Sequence, residues 1–74
     1  MNKDSFDIKL VAFDPAKKIV LIKEVRAFAQ LGLKEAKDLI EKPMPNILMK
    51  QINKETAEAI KLKLTEIGAT IELE

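Results

Sequence analysis

Lys18, Ile19, Ile22, Lys23 and Arg26 recur at intervals of three and four residues, the spacing that gathers side chains on one side of an α-helix. Branched aliphatics mixed with cations are suited to holding an acidic partner surface, through apolar contact and charge-assisted hydrogen bonds. Arg26 is the single arginine among 13 basic residues. Its planar fork suits capture of a carboxylate better than would an ammonium, and on a surface helix that role outweighs the one of an arginine finger. Lys34 and Lys37 follow on the next amphipathic stretch, where they would extend the cationic rim. The competing reading of Ile19 and Ile22 is structural, with both residues packed beneath that second helix. Composition alone leaves the two readings open.

Catalytic chemistry is poorly supplied. The chain has no His, Cys, Tyr or Trp, which removes the common general base, the thiol nucleophile and the usual zinc ligands. Carboxylates are plentiful, but many stand beside lysines, as in Lys34-Glu35 and Lys37-Asp38, a pattern of solvated helix faces with weak ion pairs. Leu31-Gly32-Leu33-Lys34 lacks the spacing of a phosphate-binding loop. We therefore expect neither a catalytic residue nor a metal or other cofactor. With 13 basic against 12 acidic residues the net charge is +1, too little for a general attraction to nucleic acid. No apolar run approaches the roughly 20 residues that span a bilayer, and a soluble chain with no membrane partner is expected.

The elements that must position the cations can be read from their punctuation. Met1–Ser5 is short and polar and reads as a tether or frayed end. Phe6–Phe13 alternates imperfectly, with Phe6, Ile8, Leu10 and Ala12 on one side, as a half-buried strand would. Asp14 is a helix cap and Pro15 suits a first turn. Lys17–Gln30 then reads as a first helix, broken at Gly32, with Leu21, Val25 and Phe28 on its inward arc and Ile19, Ile22, Lys23 and Arg26 on the opposite one. Leu33–Lys42 carries Leu33, Ala36, Leu39 and Ile40 at helical spacing and stops before Pro43 and Pro45. Ile47–Ile52 reads as a second strand. Asn53 caps a third helix with the stripe Ala57, Ile60, Leu64 and Ile67, Gly68 supplies its left-handed stop, and Ala69–Glu74 is a last strand. The order is β-α-α-β-α-β. It predicts an α+β fold of two layers, three helices on one face of a small three-stranded sheet, in one domain over residues 6–74.

The runs KIVLIKEVR at Lys18–Arg26 and LGLKEAKDLIE at Leu31–Glu41 resemble the C-terminal domain of the bacterial and organellar ribosomal stalk protein seven/twelve. The opening Phe6-Asp7-Ile8 and the stretch from Ala57 to Ala69 fit the same family, so the resemblance covers about Phe6 to Glu74. It implies the same β-α-α-β-α-β order, with an antiparallel sheet. It also implies that Lys18, Ile19, Ile22, Lys23, Arg26, Leu33 and Lys37 contact translational GTPases: elongation factors G and Tu, initiation factor two and a release-factor GTPase. A ribosomal location follows, in a bacterial cytoplasm or an organelle. Whole members of the family carry an N-terminal dimerisation helix pair and a hinge, and dock on the stalk base through that region. The isolated domain is expected to be monomeric, and the full-length protein dimeric.

Some positions depart from the family's common pattern. Glu24 and Phe28 replace small residues, Gln51 stands where glycine is frequent, and the Phe13–Lys17 turn is one residue longer than in many bacterial members. Turn length, the LIKE run and Phe28 lean towards a mitochondrial origin. Two rival functions share the topology or the charges. A protease-adaptor domain would need an acidic pocket for a peptide N-terminus, and no such cluster is seen. An RNA-binding module would use Lys18, Lys23, Arg26 and Lys37, but balanced charge and the lack of aromatic platforms oppose it, so no direct nucleic-acid contact is expected.

Overall fold

The computed structural model describes residues 4–74. The elements run β1 (Ser5–Phe13), α1 (Lys18–Ala29), α2 (Leu33–Glu41), β2 (Asn46–Asn53), α3 (Lys54–Glu66) and β3 (Ala69–Leu73), with one 3-10 turn at Pro15–Lys17 ahead of α1. The expected element order and the α+β class are thus met. The three strands form an antiparallel sheet in the order β2-β1-β3. Helix α3 lies against the sheet, and α1 packs chiefly on α2. The core gathers Ile8 and Leu10 of β1, Leu48 of β2, Ala69 and Ile71 of β3, and Leu21, Val25, Ala36, Ile40, Ala57, Ile60 and Leu64 from the helices. The outer side of the sheet is polar: Lys9 faces Glu72 across the β1–β3 ladder and hydrogen-bonds Glu74 at 2.9 Å.

Local chemistry explains most boundaries. Asp14 Oδ1 accepts from the Ala16 N–H at 3.0 Å, and Asn53 Oδ1 accepts from the Thr56 N–H at 2.9 Å, each capping the turn that follows it. Lys42 is extended, as a residue preceding Pro43 should be. Gly68 ends α3 with φ 95°, and a Cβ there would stand 3.2 Å from Asp14 Cβ. The positive φ favours glycine whatever the space, and a Cβ would also press the Asp14 side chain to shift by a few tenths of an ångström.

Four expectations are corrected. Residues 1–3 of the expected tether lie outside the described residues, and Ser5 already pairs with Asn53 in the sheet. The first helix stops at Ala29 because Gln30 takes the left-handed conformation, φ 54°; Gly32 is extended and instead begins α2. The second strand is longer at both ends, since Asn46 pairs with Leu10 and Asn53 with Ser5. Lastly, the alternation of β1 does not persist. A bulge between Leu10 and Ala12 makes Ala12 pair with exposed Thr70, while Phe13 pairs with buried Ala69. One extra residue reverses the facing of everything after it.

Candidate functional site

Helix α1 contains no Gly or Pro, so nothing in the sequence interrupts it before Gln30. The three-residue return through Gln30–Gly32 lays α2 beside it. All seven residues expected at a binding face, Lys18, Ile19, Ile22, Lys23, Arg26, Leu33 and Lys37, line one open groove of about 440 Å³ between the two helices. Lys18, Ile19, Ile22, Lys23 and Arg26 come from α1, and Leu33 and Lys37 from α2. Lys34 is exposed but does not line the groove.

The two isoleucines do not behave alike. Ile19 is 71% exposed, as a surface contact would be, whereas Ile22 is only 7% exposed and belongs to the core. An exposed pair of isoleucines is therefore not what the structure presents. At about 100° per residue, Ile22 stands only about 60° from Val25, on the border between the inward arc and the outward one. Packing of α2 along that flank covers it. Ile22 forms the apolar floor of the groove, and Ile19 and Leu33, the latter 58% exposed, stand on its α1 and α2 sides.

Four cations surround this apolar strip. Arg26 lies in the last turn of α1, where the negative end of the helix dipole favours a cation. Among the described residues Lys23, Arg26 and Lys37 form no ion pair, while Lys18 Nζ donates to Glu41 Oε2 at the end of α2. That hydrogen bond holds the Glu41 carboxyl below its ordinary value. Glu41 is the neighbour that sequence reasoning missed; the signal for it was positional, the last residue of α2 opposite the first of α1. The arrangement offers apolar surface and unpaired donors to an acidic partner. Among the described residues no group of three His, Cys, Asp or Glu side chains could hold a metal ion.

Comparison with known proteins places this architecture. Residues 6–74 match the family model described as the ribosomal protein L7/L12 C-terminal domain. The large ribosomal subunit protein bL12 of Syntrophobacter fumaroxidans is 60% identical over 57 residues, 77% of this chain and 44% of that protein. The bL12 proteins of Thermosipho melanesiensis and Fervidobacterium nodosum are 54% and 51% identical, each over 74 residues, 97% of this chain and 57% of their own length. The chain thus spans about half the length of these relatives. All three sources are bacteria, so the lean towards a mitochondrial origin gains no support. On the extent of the family match and the level of identity, the chain belongs to the ribosomal protein L7/L12 C-terminal domain family, whose members are non-enzymatic proteins of the large ribosomal subunit.

Proposed function

We propose that the α1–α2 groove is the face by which this domain recruits translational GTPases, elongation factors G and Tu, initiation factor two and the release-factor GTPase, to the large subunit. The observation that carries the reading is convergence. Four cations, two exposed aliphatics and a buried isoleucine floor come from two helices into one groove. Apolar contact with a charged, water-excluding rim is the composition of an interface centre, and the positive rim selects an acidic surface.

Recruitment asks for weak, fast contact, because a long-lived complex would obstruct turnover. In the whole protein, dimerised and anchored at the stalk base through its N-terminal region, tethered copies of this domain would raise the local concentration of factor beside its site. The setting is the ribosome of a bacterial cytoplasm. The contribution proposed for the groove is binding.

The test is a titration of isotope-labelled domain with elongation factor G, read by amide chemical shifts. Perturbations should centre on residues 18–26 and 33–37. Shifts centred on α3 or on the polar side of the sheet would refute the assignment.

A further inference from the structure

Lys18 is the first residue of α1 and Glu41 the last of α2, and the chain's return at residues 30–32 brings them together at one end of the groove. Lys18 lines the groove, yet its ammonium already donates to the Glu41 carboxylate. Lys37, one turn before Glu41 on α2, adds a second cation to the field at that carboxylate. Two of the four groove cations therefore act on one internal acid. Neither member of the pair sits where its own helix favours it. Lys18 is at an N-terminal end and Glu41 at a C-terminal end, each meeting the like-signed pole of its helix dipole. The pair offsets for each partner what its helix makes unfavourable.

We propose that Glu41, which does not itself line the groove, is an internal counter-ion that holds the Lys18 ammonium at the groove's edge, in place of a docking partner's carboxylate. This inference rests on the reading of the groove as the docking face. It divides the groove into two unequal ends. Among the described residues Lys23 and Arg26 are free of ion pairs and can meet an acidic surface directly, whereas Lys18 is released only to a carboxylate that exchanges with Glu41. A partner with a carboxylate placed for that exchange is selected over one that is merely acidic. Because both partners of the pair are partly exposed, with side chains 36% and 40% accessible, the exchange needs no unfolding.

The experiment titrates elongation factor G against wild type, Glu41→Gln, Lys18→Ala and their double variant, each checked for folding by its urea midpoint. Freeing an exposed pair of this kind should tighten binding about two- to fivefold in Glu41→Gln. The gain should vanish in the Lys18→Ala background. Glu58→Gln on α3 makes the same change in net charge away from the groove and should leave affinity unaltered. Binding by Glu41→Gln equal to or weaker than wild type overturns the proposal, as does an equal gain from Glu58→Gln. Arg26→Ala separates the two levels of inference. If it weakens binding while Glu41→Gln brings no gain, the docking face stands and the counter-ion role fails. If Arg26→Ala binds as wild type does, the face itself is wrong and the counter-ion role falls with it.

Discussion

The backbone N–H of Gln51 donates to Asp7 Oδ1 at 3.0 Å, and Gln51 does so from a left-handed backbone with φ 54°. The β1–β2 register shifts between Phe6 and Ile8, where Phe6 pairs with Ile52 but Ile8 with Met49. The Asp7 side chain thus supplies an acceptor at the point where the ladder is irregular. A left-handed conformation costs a non-glycine residue roughly 1–2 kcal/mol, partly offset by glycine's greater freedom in the unfolded chain. Gln51→Gly should therefore stabilise the domain by roughly 0.5–1 kcal/mol, seen as a higher urea midpoint. Asp7→Ala should cost about 0.5–1 kcal/mol, since the Gln51 N–H is exposed and water can take the place of the carboxylate. A lower midpoint for Gln51→Gly would mean that the backbone at position 51 is not strained.

Ile19 and Ile22 should separate in the laboratory as they do in the structure. Ile22→Ala removes a buried side chain and should cost about 2–4 kcal/mol of stability. Ile19→Ala changes an exposed one, so its stability should move by less than about 0.5 kcal/mol, while its affinity for elongation factor G falls. Parallel denaturation and binding curves check both. Equal stability loss in the two variants would show that both isoleucines are core residues.

The same contrast marks how far the sequence could be read. Element order was legible because Asp14, Pro43, Asn53 and Gly68 act locally, through caps, fixed dihedrals and a left-handed stop. The inward stripes were legible because Leu21, Val25, Ala36, Ile60 and Leu64 obey helical periodicity, and all are buried. What periodicity could not settle was a residue on the border of two arcs. The burial of Ile22 depends on how closely α2 approaches, a tertiary fact. The β1 bulge is likewise invisible, since the run Phe6–Phe13 contains no Gly or Pro to announce it. Gln30 misled for the converse reason: Gly32 two residues later was the more obvious helix stop, and the chain used glutamine instead. Helical spacing alone could place Lys18, Ile19, Ile22, Lys23 and Arg26 near one another, but the Lys18–Glu41 pair joins residues 23 apart and emerges only when α1 and α2 close.

That pair has a pH signature. The hydrogen bond from Lys18 depresses the Glu41 carboxyl from an ordinary value of 4.5. A depressed acid contributes stability that is present above its unfolded value and lost as the pH falls through its folded one. The difference in urea midpoint between wild type and Glu41→Gln should therefore be constant near neutrality, start to shrink as the pH drops towards 4.5, and disappear in stronger acid. Lys9 provides the alkaline counterpart. Its hydrogen bond to Glu74 raises it above 10.5, so its contribution is complete below that value and fades as the pH rises through the raised one. A wild-type-to-Glu41→Gln difference that stayed unchanged down to pH 2 would show that the pair adds nothing in solution.

Arg26 offers the most direct separation of binding from folding. It is exposed, lines the groove and forms no ion pair among the described residues. Arg26→Ala removes a multi-donor cation without opening the core, so stability should change by less than about 0.5 kcal/mol. Loss of a central interface arginine commonly costs about 2 kcal/mol or more, which exceeds tenfold in affinity. Arg26→Lys should restore only part of that loss, because the ammonium keeps the charge but not the planar fork. Lys63→Ala, in the last turn of α3 and away from the groove, should alter neither property. Calorimetric titration with elongation factor G, on variants of matched stability, distinguishes these outcomes. Full recovery by lysine would reduce the role of Arg26 to charge alone, and undiminished binding by Arg26→Ala would remove this face from the mechanism.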